Sequence, residues 1–141
     1  HACCGTMSHT KICEYLYLGN QYSTSVIENV EAILSVGAKH KCQILGIDEM
    51  KISMVDSSES DIGPYLYDAT AFIHEAVSSK KTILVHCKAG INRSPIVVIA
   101  YLAMNGGMKL NEAIQHVKNA RKIVRIQPHY IHQVEIWLTN P

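Results

Sequence analysis

Net charge is nearly absent from this chain: 13 Lys and Arg against 12 Asp and Glu leave +1 at neutral pH. That removes the broad electrostatic pull toward nucleic acid or acidic membranes, so anion binding has to come from a local site. Long apolar runs are missing as well. The longest, Ile96 to Ala103, is far too short to span a bilayer. No secretory leader, internal repeat or low-complexity tract is visible. A cysteine framework is also lacking. Cys3, Cys4, Cys13, Cys42 and Cys87 are odd in number and irregular in spacing, which points to free thiols in a reducing compartment, the cytoplasm and with it the nucleus. The N-terminal group His1, Cys3, Cys4, His9 and Cys13 matches no zinc spacing, and neither a metal nor a cofactor is expected.

What is present is the composition of an ordinary globular domain. Of 141 residues, 48% are hydrophobic and 18% charged, enough to bury one core. Met7-Ser8 reads as a natural start, so residues 1–8 are taken as a disordered tail or cloning scar and 9–141 as the domain. Ile12 to Leu18 reads as a strand ended by a Gly19-Asn20 turn. Ser25 and Glu28 form a capping box ahead of Val26, Val30, Ile33 and Leu34, which predicts a helix closed by Gly37. Cys42 to Ile47 and Lys51 to Val55 read as strands around Asp48-Glu49. Leu66, Ala69, Phe72, Ile73, Ala76 and Val77 recur at helical spacing. Thr82 to Val85 is a short β-branched run, hence a buried strand. Pro95 suits a first helical position, and Gly106-Gly107 ends that run. Leu110, Ala113, Ile114 and Val117 mark a further helix, and Ile131, Val134 and Leu138 the last. Strands alternating with helices and then helices alone predict an α/β fold, a central sheet flanked by helices on both faces with a helical C-terminal half.

The chemistry sits in His86-Cys87-Lys88-Ala89-Gly90-Ile91-Asn92-Arg93-Ser94, between the buried strand and the Pro-initiated helix. A strand delivers Cys87 to the sheet edge, five residues curl, and a helix begins near Arg93. Such a curl aims successive backbone N–H groups of Lys88, Ala89, Gly90, Ile91, Asn92 and Arg93 at one point, and the helix N-terminus adds partial positive charge there. Gly90 permits the tight path. Arg93 presents a planar fork to two phosphate oxygens, which Lys cannot copy. The same cradle favours the thiolate of Cys87, which attacks phosphorus to form a phosphocysteine that water then hydrolyses. The Ser94 hydroxyl is placed to donate to the departing sulfur, and His86 to orient its neighbour from a buried position. Lys118, Arg121, Lys122 and Arg125 read as a solvated helix face, or else as a rim that attracts acidic substrate.

The segment resembles the H-C-x5-R-S/T signature of the cysteine-based protein phosphatases, in the small dual-specificity branch. The likeness extends over most of the chain, through Tyr15-Leu16-Tyr17-Leu18-Gly19, Asp56 to Ile62, Ala100-Tyr101-Leu102, Glu112-Ala113 and Gln127-Pro128. It implies a mixed, mainly parallel sheet and phosphorylated protein side chains as substrates, phosphotyrosine and phosphoserine or phosphothreonine alike. By the same pattern Asp56 protonates the leaving oxygen. Asp61 is the local competitor, although with Ser60 it is suited to capping the helix that follows. Asn92 stands where many relatives carry Ser, and RNA-triphosphatase relatives share that Asn-Arg pair. Two other functions stay open on sequence alone: a phosphate-binding module with little turnover, and a phosphatase for lipid or RNA 5′-phosphates. The neutral Ala89, Ile91 and Asn92 argue against a lipid-type loop, and the near-zero net charge against nucleic acid.

Overall fold

Short runs make the strands here, and the three central ones are largely buried. The computed structural model describes residues 8–23, 29–37, 46–55 and 57–140, and within them five strands form one sheet. These are β1 (His9–Cys13), β2 (Leu16–Gly19), β3 (Ala32–Val36), β4 (Asp48–Ile52) and β5 (Ile83–His86), in the order β1-β2-β5-β3-β4. The β1–β2 pair is antiparallel and the remaining pairs are parallel, so the sheet is mixed and mostly parallel. Four helices complete the architecture: α1 (Gly63–Ser78), α2 (Arg93–Met104), α3 (Leu110–Ala120) and α4 (Pro128–Thr139).

Every residue of β3 and β5 is buried. Side chains alternate across a strand, so one parity, Ala32, Leu34, Val36, Ile83 and Val85, joins the main core. The other parity places Ile33 beside Leu84 and Ser35 beside His86, also out of solvent. The central strands are therefore covered on both faces, as a doubly shielded parallel sheet requires. Helix α2 is buried from Arg93 through Leu102 and touches α1, α3 and α4, which makes it the axis of the helical layer. Pro64 opens α1 and Pro128 opens α4, each at a position where a missing N–H costs nothing. At α3 the Glu112 carboxylate accepts from the Lys109 N–H at 2.9 Å, satisfying one donor at the start of the helix.

Several sequence expectations are corrected. The run expected to be helical up to Gly37 is strand β3, because a strand buried on both faces reads as continuous apolar sequence and mimics helical spacing. The strand expected over Lys51 to Val55 lies three residues earlier, and Asp48-Glu49 belong to it. Strand β4 is the sheet edge and its first two residues are exposed, so acidic side chains are tolerated there. The single strand expected over Ile12 to Leu18 is a hairpin, reversed at Glu14-Tyr15 with Tyr15 at φ 70°. Pro95 is the third residue of α2, since Arg93 and Ser94 are already helical. The Ser25–Glu28 capping box with Val26, most of the Cys42–Ile47 run, and Cys3, Cys4 and Asp56 fall outside the described residues.

Candidate active site

Parallel register brings the site together. His86 ends β5 and pairs with Ser35 of β3, and their side chains meet at 2.7 Å between Nε2 and Oγ. Both are buried. Cys87 leaves the strand with its N–H on the Gly19 carbonyl at 3.4 Å, so its position is set by β2 as well. Its Sγ takes the Gly90 N–H at 3.2 Å and lies 3.1 Å from Ser94 Oγ. Ser94 Oγ also faces the Gly19 carbonyl at 3.4 Å. Gly90 has φ +70°, and a Cβ there would come within 2.6 Å of the Gly19 oxygen, so both conformation and space demand glycine.

The loop carbonyls are turned away from the site. That of Lys88 accepts from Gln21 N–H at 3.1 Å, that of Gly90 from Arg121 Nε at 2.9 Å, and that of Ile91 from Arg125 N–H at 2.9 Å. In a trans peptide the next N–H points opposite to the carbonyl. The N–H groups of Ala89, Ile91 and Asn92 are thereby aimed the other way, toward the open side of the loop, and α2 begins immediately behind them. A cavity of about 320 Å³ opens there, lined by Cys87, Lys88, Ala89, Ile91, Asn92, Arg93, Arg125 and Gln127. Among the described residues its lining carries three cationic side chains and no acidic one, the environment of an anion site on a protein of near-zero net charge.

Arg93 is 9% exposed and reaches across two strands: its Nη1 donates to the Met54 carbonyl at 2.9 Å and to the Gly37 carbonyl at 3.3 Å. A Cβ on Gly37, which has φ +69°, would collide with that nitrogen. Met54 lies two residues ahead of Asp56 in the chain, and Asp56 itself is outside the described residues. The following loop is braced by α4. Gln133 accepts the Ile62 N–H at 2.8 Å and donates to the Ser60 carbonyl at 2.9 Å. Asp61 is exposed and its Oδ1 accepts the Gly63 N–H at 2.9 Å, serving the start of α1, whereas Ser60 turns back to the Val55 carbonyl.

The late basic stretch is not one helix face. Helix α3 ends at Ala120, so the four side chains diverge. Lys118 and Lys122 are exposed, Arg121 is 3% exposed, and Arg125 lines the cavity. Gln127, Gln133 and Gly37 build or brace the site without having been singled out for it by sequence, and Arg121 and Arg125 were read only as part of a solvated face or a substrate-attracting rim. Only for Arg121 was a local signal available: it continues the Ala113–Val117 spacing on the buried face of α3.

The family model described as "Dual specificity phosphatase, catalytic domain" matches residues 16–139. The chain is 34% identical over 137 residues to "Putative tyrosine phosphatase 123R" of Invertebrate iridescent virus 6, covering 95% of this chain and 96% of that one. It is 33% identical over 132 residues to Dual specificity protein phosphatase 1-A of Xenopus laevis, covering 86% of this chain and 36% of the relative. Among solved structures it is similar to human DUSP28, with a TM-score of 0.87 at 25% identity over 93% of each chain. The chain belongs to the dual-specificity phosphatases, enzymes that remove phosphate from tyrosine and from serine or threonine side chains of proteins.

Proposed function

We propose that this phosphatase works through a phosphocysteine on Cys87. The observation that carries the reading is the setting of Sγ, taken by the Gly90 N–H and faced by Ser94 Oγ in a cavity where Lys88, Arg93 and Arg125 are the charged residues among those described. Cys87 Sγ attacks phosphorus while the bond to the leaving oxygen breaks, and Asp56 supplies the proton that oxygen needs. The backbone N–H groups from Lys88 to Arg93 and the guanidinium of Arg93 hold the phosphoryl oxygens, favouring the charge that develops on them. Water then attacks the phosphocysteine. The Ser94 hydroxyl donates to the sulfur as the S–P bond breaks, and inorganic phosphate leaves. His86, tied to Ser35, keeps the strand end from which Cys87 projects.

The substrates are phosphorylated protein side chains rather than nucleic acid, a choice supported by the +1 net charge, which leaves attraction to the site alone. A nucleophilic thiolate requires reducing surroundings, which supports a cytoplasmic or nuclear setting. No described helix is long and apolar enough to cross a membrane. Phosphopeptides, phosphoinositides and 5′-triphosphorylated RNA assayed side by side test the substrate class, with Cys87→Ser as the control. Release of phosphate from the peptides, lost in the control, is the expected result. Preference for either of the other two, or turnover by Cys87→Ser, overturns the reading.

A further inference from the structure

The phosphate loop has a charged support outside the H-C-x5-R segment. Arg121 follows the last turn of α3, and the Ala113, Val117, Arg121 spacing brings it onto the helix face that packs inward. A guanidinium is rarely buried to this depth unless its donors are used. Here Nε donates to the Gly90 carbonyl at 2.9 Å and Nη1 to Thr10 Oγ1 of β1 at 3.0 Å. Nη2 lies so near Gly90 that a Cβ on that residue would stand 2.8 Å from it.

We propose that Arg121 is a positioning residue for catalysis: it locks the Gly90–Ile91 peptide with the Ile91 N–H toward the phosphate and fixes a positive charge behind Cys87. The first part follows from peptide planarity. A carbonyl held outward by Nε cannot rotate without carrying its N–H out of the site. The second part rests on proximity. Gly90 joins the two groups, its carbonyl taking Arg121 Nε at 2.9 Å and its N–H donating to Cys87 Sγ at 3.2 Å; in keeping with this, burial pushes the Arg121 pKa down and Cys87 acts on it in the opposite sense. Among the described residues, the other charged groups around the loop are Lys88, Arg93 and Arg125 on the cavity wall, and the titratable His9 of β1 lies near Arg121. Of these Arg121 is the most deeply buried, and its charge is the least screened by solvent. This inference rests on the cysteine-phosphatase reading but concerns the loop rather than the substrate.

The test uses two readouts that need no turnover, iodoacetamide alkylation of Cys87 and vanadate inhibition of that alkylation, on Arg121→Met and Arg121→Lys. Arg121→Met should be alkylated about tenfold more slowly at pH 6, with vanadate inhibition weaker by about a hundredfold, as for loss of one oxyanion donor. Arg121→Lys keeps the charge and loses the fork. It should recover most of the alkylation rate while vanadate inhibition stays at least about tenfold weak. Alkylation and vanadate binding within twofold of wild type in a cooperatively melting Arg121→Met variant overturn the proposal. Should that variant not fold, wild-type vanadate inhibition of Arg121→Lys overturns it equally. Because neither probe is a substrate, a wrong substrate class would leave both results readable.

Discussion

Ser94 Oγ and Cys87 Sγ stand 3.1 Å apart at the two ends of the Cys87–Ser94 loop, and the Gly19 carbonyl faces both the Ser94 hydroxyl and the Cys87 backbone N–H. A hydroxyl so placed is of little use to a sulfur that is attacking and of most use to one that is leaving. Ser94→Ala should therefore slow breakdown of the phosphocysteine more than its formation. With p-nitrophenyl phosphate, a burst of nitrophenolate equal to the enzyme concentration should precede a steady rate lower by about 10- to 100-fold. A slower steady rate without a burst would assign Ser94 to the first step.

Arg93→Lys keeps the charge but gives up the planar fork, and should lose about 3 kcal/mol of transition-state binding, roughly a hundredfold in kcat/KM. Gly37→Ala should reach the same site from another strand, because its Cβ displaces Arg93 Nη1 and the residue has φ +69°. Its stability cost should be about 1–2 kcal/mol by chemical denaturation, with a loss of kcat/KM beyond what the unfolded fraction explains. Full activity in Gly37→Ala would mean Arg93 does not need the Gly37 and Met54 carbonyls.

Asp56 should matter in proportion to how poor the leaving group is. Asp56→Asn should depress hydrolysis of phosphoserine and phosphothreonine peptides far more than that of nitrophenyl phosphate, and should erase the high-pH fall in rate. Asp61→Asn is the control. It weakens the bond to the Gly63 N–H and should cost about 1 kcal/mol of stability at most, with no dependence on leaving group. The reverse pattern would move the acid by five residues.

Stability should decline on the acid side partly through His9. Its pKa is lowered, first by burial and then by the charge of Arg121, so the folded state prefers the neutral ring. As pH falls below about 6.5 the unfolded chain takes up this proton first, and the folded state loses ground until the folded pKa is passed. His9→Gln should flatten that stretch of the melting-temperature profile. An unchanged slope would mean other groups set the acid limit.

The Cys87–Ser94 loop was legible as a candidate site because its residues are contiguous and of kinds a polymer of ordinary residues does not need: a thiol, a left-handed glycine and a fork within eight positions. Helix α1 was equally plain from Leu66, Ala69, Ile73 and Ala76, since one face is buried and the other wet. Strand β3 was not, because burial on both faces erases the alternation that would have told Ala32–Val36 from a helix. The edge strand β4 hid for the opposite reason, with Asp48, Glu49 and Lys51 facing solvent. Contacts such as Arg93 with Met54 and Gly37 span 39 and 56 residues and depend on sheet order, which no local pattern encodes. Arg121 was readable in principle. Its place four residues after Val117 marks an inward face, but a basic neighbourhood suggested solvent.

The loop around Cys87 is fastened to its surroundings largely through main-chain atoms: the carbonyls of Gly19, Gly37 and Met54, and the N–H groups of Gln21 and Arg125. Main-chain atoms are what substitution leaves untouched. Most of the side chains in these segments can thus be exchanged without touching the fastenings of the cradle. Positions 37 and 90 lack that freedom, because at each the absence of a side chain is itself the fastening. Drift in such a protein should run freely along the strands that hold the site and stop at its glycines.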